Sequence, residues 1–282
     1  MPRKRRDKVQ MDGASVVDEP PPRPDCDICM VPLPIKGCFV TYMTCCGKTL
    51  CCGCMHTNKL TITKTNKKRI EKAKKEHMPP PRLLEEVCPF CRMELPGNDE
   101  RCDRQNLDRV QKRVEMEDPE SVFVMAGYYK NGDYGLSPDE GKYLELLHQA
   151  ASLGSANARF LLGDLYSPGV LSVYRGASIA RAYFQAAAKS GHVLARHCFG
   201  KLEDDTGNKQ TAVLHWRISA AAGHKPSVDE LIKCFQKGLL SKESLEDSIR
   251  AKHEACQAIR SEGRDLALKK MTERGEVAGS YY

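Results

Sequence analysis

No run of about 18 apolar residues occurs in this 282-residue chain, so the sequence offers no membrane-spanning helix and no membrane partner is expected. The opening MPRKRRDKVQ holds no apolar stretch resembling a secretory signal. The expectation is an intracellular protein, cytoplasmic, nuclear or both, in a reducing setting that favours metal over disulfides. Aromatic residues are missing from the most basic stretch, KLTITKTNKKRIEKAKKEHMPPPR, from Lys59 to Arg82. With no ring to stack on bases, that stretch reads as a solvated helix or flexible insertion, and nucleic acid is not an expected partner despite the net charge of +7. A nucleophilic constellation is also missing. Cys198, Cys234 and Cys256 sit singly within helical patterns and read as ordinary core or surface residues.

What the chain does have is cysteine, unevenly spread. Of its 14 cysteines, eleven lie between Cys26 and Cys102. Eight form four close pairs: Cys26-x-x-Cys29, Cys45-Cys46, Cys51-x-x-Cys54 and Cys88-Pro-Phe-Cys91. Two thiolates separated by two residues can curl onto one ion, and an ion held by pairs distant in sequence ties loops that bury no core of their own. Eight soft ligands fill two tetrahedral zinc sites, and adjacent Cys45-Cys46 and Cys51-Cys52 make an awkward disulfide framework. Spacing alone leaves open whether consecutive or interleaved pairs share an ion. Cys38 is an alternative to Cys45, and Cys52 and His56 are further candidate donors. Adjacent Cys45 and Cys46 reach one ion only if the backbone turns sharply, which Gly47 permits.

Around this cluster the texture changes. Residues 1–24 are charged and proline-rich and read as a disordered arm, whose Arg3, Lys4, Arg5 and Arg6 suit nuclear import. Pro79, Pro80 and Pro81 end any helix in the basic insertion at 55–87. Leu107, Val110 and Val114 stand at helical spacing in a connecting helix over 97–117. From Asp118 the chain becomes alanine-rich and repetitive. Gly127, Gly163 and Gly200 recur in VMAGYY, FLLGDLY and HCFGKLE, at steps of 36 and 37 residues. A second phrase ends at Gly154-Ser155, Gly191-His192 and Gly223-His224, each an alanine-rich helix end before a left-handed glycine. The two phrases define a helix-turn-helix unit in which a small residue admits its neighbour closely. Tyr128, Leu162, Tyr166, Tyr183, Phe184, Leu214 and Trp216 are the expected core. Ser137 is the expected cap of the second helix of unit one, with Pro138 in its first turn. His192 and His224 are assigned turn or packing roles.

The cysteine spacing, with 33 residues between Cys54 and Cys88, resembles a RING finger in all-cysteine form over about 66 residues. The resemblance implies that Cys26, Cys29, Cys51 and Cys54 share one zinc and that Cys45, Cys46, Cys88 and Cys91 share the other. It also implies a ubiquitin-conjugating enzyme as partner, with Ile28 and Pro89 as apolar contacts on the two zinc loops and Arg92 as the cation bridging ubiquitin and that enzyme. No catalytic residue is implied on the finger itself. The glycine phrases are similar to Sel-one-like repeats, relatives of the tetratricopeptide class, which implies a solenoid that binds protein substrates or partners.

The expected fold is mainly α: a small α+β zinc-binding RING-like domain at 25–96, then an α-helical repeat solenoid. Three repeats span 118–224, capping helices 225–262, and a flexible tail 263–282. The expected function is a zinc-dependent RING-type ubiquitin ligase or ligase subunit; the alternative is a non-catalytic zinc-finger scaffold for protein-protein interaction.

Overall fold

A computed structural model of the chain describes residues 23–35, 40–95, 100–167 and 176–275, with the side chains of 100–102 left aside. The expected disordered arm, except for its last two residues, Cys38, the loop after Ser167 and the final seven residues lie outside them. The architecture is mainly α with one small sheet. Strands β1 (Val40–Met43) and β2 (Lys48–Cys51) pair antiparallel, with Val40 opposite Cys51 and Met43 opposite Lys48. The helices follow as α1 (Cys52–Lys75), α2 (Glu100–Glu115), α3 (Pro119–Asn131), α4 (Glu140–Leu153), α5 (Ala156–Tyr166), α6 (Ala177–Lys189), α7 (Val193–Asp205), α8 (Lys209–Ala221), α9 (Lys225–Gln236), α10 (Lys242–Ala258) and α11 (Glu262–Glu273). Among the described residues no helix is long and apolar enough to cross a membrane.

Three helix hairpins, α3/α4, α5/α6 and α7/α8, carry the repeat. Their second helices end at Gly154, Gly191 and Gly223, with φ of 109°, 83° and 97°. At each end the residue after the glycine sends its N–H back five residues to a carbonyl: Ser155 to Ala150, His192 to Ala187 and His224 to Ser219, at 2.9, 3.0 and 3.2 Å. Those orphan carbonyls are thereby satisfied. The same three residues then stand at the N-cap of the next helix. Ser155 Oγ accepts from the Ala158 N–H at 3.2 Å and His192 Nδ1 from the Ala195 N–H at 3.1 Å. The two histidines thus serve the architecture.

Seven residues before each of these glycines stand Leu147, Phe184 and Trp216, all buried. A Cβ on Gly163 would sit 2.6 Å from the Phe184 ring, and one on Gly200 2.7 Å from the Trp216 indole. Gly127 meets nothing within 4 Å, because unit one carries the smaller Leu147 at the ring position and buries Ala126 instead. Of the expected core, Leu162, Phe184 and Trp216 are buried, while Tyr128, Tyr166 and Tyr183 keep part of their surface exposed. Val213, rather than its neighbour Leu214, is the buried residue of that turn.

Two expectations need correction. The cap of α4 is Asp139, whose carboxylate accepts from the Lys142 N–H at 2.9 Å, not Ser137. The entry is set further along because the Asp139 N–H donates to Tyr129 O and the Pro138 ring packs on Gly132. The segment expected as a flexible tail from 263 forms α11, started by Ser261 accepting from the Arg264 N–H. Ala267, Leu268 and Met271 of α11 pack on Cys52 of α1, and Arg264 is fully buried. The basic insertion is likewise ordered, its first half being α1.

Candidate metal centre

The cysteines are positioned by two turns of the same design. In the first loop the Cys26 N–H donates to Val31 O at 3.0 Å and the Met30 N–H to Cys26 O at 2.9 Å. In the second, the Cys88 N–H donates to Met93 O at 2.8 Å and the Arg92 N–H to Cys88 O at 3.1 Å. The residue after each second cysteine has positive φ, 52° at Met30 and 59° at Arg92. Backbone N–H groups therefore turn inward under each thiol pair.

The hairpin supplies the remaining ligands. Cys51 closes β2 and Cys54 lies in the first turn of α1, while Cys45 and Cys46 occupy the β1–β2 turn. Gly47, at φ 70°, lets that turn close with its N–H on Met43 O at 2.8 Å. A side chain there would also run into Arg113, 2.4 Å from its Nη1. The result is interleaved: Cys26, Cys29, Cys51 and Cys54 form one group, and Cys45, Cys46, Cys88 and Cys91 the other, each with its sulfurs within 4.8 Å of one another. Cys52 faces α11, and neither it nor His56 belongs to either group.

The donor sets fit zinc. Four Zn–S bonds of about 2.3 Å place tetrahedral sulfurs about 3.8 Å apart. Cys29 and Cys51 Sγ are 3.9 Å apart, and Cys46 and Cys88 Sγ 3.7 Å. The electrostatics point the same way. Burial would raise the Cys26 thiol, but backbone N–H groups of Cys29, Cys51 and Ile28 outweigh it and bring it down to about 7. Cys88 is lowered against its burial by the N–H groups of Cys91 and Phe90. Cys45 and Cys54 are pushed up by burial and by the neighbouring thiols. Four thiolates this close ionise together only around a cation.

A second layer encloses the first group. The Arg264 guanidinium donates to Ile259 O at 2.8 Å, Pro32 O at 2.9 Å and Val31 O at 3.1 Å, and its Nη2 stands 3.7 Å from Cys29 Sγ. Arg264 was not among the residues singled out from the sequence. Ser261 before Glu262 and Asp265, with Ala267, Leu268 and Met271 behind, was the signal for the helix that carries it. On the other side, the Tyr42 hydroxyl bonds to Asp118 and, at 2.7 Å, to Ser121. Arg113 bridges Asp118 at 2.9 Å and Thr44 O at 3.2 Å. The cysteine-rich module is therefore tied to the first repeat by its hairpin and to α11 by its first loop.

The expected partner contacts lie on the outside. Ile28 is 42% exposed in the first loop, Pro89 is partly exposed in the second, and the Arg92 side chain is exposed. Among the described residues no ion pair involves Arg92. On the helical part, an open cleft of about 700 Å³ is lined by Arg159, Ile179, Ala182, Tyr183 and Lys189.

No family model matches this chain, and no curated protein matches it. Among solved structures it is similar to a Sel1 repeat protein from Oxalobacter formigenes, at 24% identity over 46% of this chain and 38% of that one, with a TM-score of 0.43. It is also similar to c5321, a protective antigen of uropathogenic Escherichia coli displaying an SLR fold, at 17% identity over 63% and 44%, with a TM-score of 0.43. For the immunity protein Pa5087 from Pseudomonas aeruginosa the values are 18%, 55%, 60% and 0.36. The chain spans less than half the length of the first two.

Proposed function

We propose that the chain is a two-zinc RING-type module fused to a partner-binding helical array, and that it acts as a ubiquitin ligase or ligase subunit. The observation that carries this reading is the interleaved grouping of the eight cysteines. It is supported by the two matching loops, which leave Ile28 and Pro89 outward for a conjugating enzyme and Arg92 outward for ubiquitin. An arginine suits that position because its planar fork bonds two carbonyls at once. The chain's contribution is positional: it holds the charged enzyme and shifts its population toward a reactive arrangement. Protein partners dock on the helical array, where the cleft beside Ile179 and Tyr183 is the candidate surface.

A second reading, a non-catalytic zinc scaffold, draws on the anchorage of the module at both sides through Tyr42 and Arg264. One experiment separates the two. Native mass spectrometry of the reduced protein should show two zinc ions. With zinc loaded, autoubiquitination across a panel of conjugating enzymes should fall by about tenfold or more in Ile28→Ala and Arg92→Ala, a loss of about 1.4 kcal/mol in productive binding. Two bound ions with no transfer by any enzyme of the panel would leave the scaffold reading standing.

A further inference from the structure

The segment after α1 is built as a ligand. Three consecutive prolines fix φ near −65° at Pro79, Pro80 and Pro81, and each proline pushes the residue before it out of the helical region. Such a run forms a three-sided left-handed ridge with no internal hydrogen bonds. Among the described residues no backbone hydrogen bond reaches residues 79–83. Both ends are nonetheless held. Upstream, His77 at φ 55° reverses the chain and the Met78 N–H donates to Ala73 O at 2.9 Å. Downstream, the Asn66 amide both accepts from the Leu84 N–H at 2.7 Å and donates to Leu84 O at 2.9 Å. Asn58 then donates to Val87 O at 3.1 Å. The ridge is stretched between two clamps on α1.

Its surroundings are exposed and apolar and carry charges of both signs, Arg82 pairing with Glu85 at 3.7 Å and Lys72 with Glu76 at 4.0 Å. Met78, Leu83 and Leu84 are 51%, 49% and 43% exposed, and the Arg82 side chain 86%. Lys72, Lys74, Lys75 and His77 lie on the adjoining helix end, all exposed. The same four residues, Pro-Pro-Pro-Arg, occur again at 20–23. There the arginine is built into the fold, with Arg23 Nη1 donating to Leu33 O at 3.1 Å. Only the copy at 79–82 turns its arginine outward.

We propose that Pro79–Arg82 is a docking site for a partner protein that reads a proline ridge in an aromatic-lined groove with an acidic rim. The prolines seat between rings at little ordering cost, because the ridge is already formed and clamped. Arg82 and the lysines of α1 supply the charge that the acidic rim complements. This surface is independent of the zinc loops and of the ligase reading.

The test uses the full-length, zinc-loaded chain against a panel of purified proline-reading domains of the WW and Src-homology-three types, scored by titration calorimetry. At least one domain with an acidic rim should bind. The double variant Pro79→Ala/Pro81→Ala should weaken that binding by about tenfold or more, and Arg82→Ala by a similar factor. Pro21→Ala/Pro22→Ala should leave it unchanged. Zinc content and Trp216 fluorescence show whether each variant is folded, and a synthetic Met78–Glu85 peptide should compete for the same domain. Binding by no domain, binding indifferent to the 79–82 substitutions, or binding that instead follows Pro21 and Pro22 would each overturn the proposal.

Discussion

Two glycines, Gly163 and Gly200, sit under an aromatic ring, and a third in the same phrase, Gly127, does not. Their replacement by alanine should therefore split in sign. Gly163→Ala and Gly200→Ala force a methyl into Phe184 and Trp216 and should destabilise by about 1–3 kcal/mol. Gly127→Ala has open space and should stabilise α3 by about 0.5–1 kcal/mol through helix propensity. Urea unfolding read by the fluorescence of Trp216, the chain's single tryptophan, checks all three. Equal effects at the three sites would contradict the packing described. The phrase and its period were legible in the sequence. Which copy packs tightly was not, because that depends on the size of Leu147, Phe184 or Trp216 in the facing helix. The eight cysteines that gather into two groups of four were legible from their close pairing in the sequence. Arg264 was not, because a fully buried arginine looks like surface until its carbonyl partners are known.

Among the elements, α11 shows why a charged helix near a chain end escapes a pattern search. Its inward face is buried Arg264 and Ala267 with partly buried Leu268 and Met271, too short and too polar to stand out. It works by covering the first cysteine loop with hydrogen bonds instead of apolar area. Arg264→Ala removes the donors for Val31 O, Pro32 O and Ile259 O together with the contact to Cys29. Groups that orient metal ligands from behind typically matter 10–100-fold in metal affinity. In the proposed two-zinc protein, competition with a chromophoric chelator should show one of the two ions weakened by about that factor in Arg264→Ala, with exposed Lys269→Ala unchanged. Arg264→Lys should restore little, since an ammonium lacks the fork. The better-patterned stretches hold α2, α9 and α10. The cap of α4 fell two residues late because Ser137 and Asp139 are equally good caps, and only the contacts of Pro138 and Asp139 with the preceding turn decide between them.

Over the whole molecule, the helical array depends on neutral histidines. Burial lowers His192, His197, His215 and His224 from 6.5 to about 4, helped at His197 by Lys201 and Lys233 and at His215 by Arg196. Between these values the unfolded chain binds protons that the folded one refuses. Stability is therefore complete above pH 6.5 and is lost as pH falls toward 4, by on the order of 1–3 kcal/mol per ring. The urea midpoint followed at Trp216 should drop from pH 7 to pH 5, and His197→Gln should flatten that dependence. The thiolates add an acid sensitivity of their own, which cancels in the difference between variant and parent. A cysteine-rich end and a helical end are visible in the composition, whereas the contacts joining them pair residues far apart, Tyr42 with Asp118 and Val31 with Arg264. That long-range closure carries a consequence for synthesis. Cys29 leaves the ribosome far ahead of the arginine that covers it, and at about 5–20 residues per second the delay is on the order of ten seconds or more. Throughout that interval the nascent first loop lacks the guanidinium that caps its carbonyls, so its hydrogen bonding is completed only after α11 has been made.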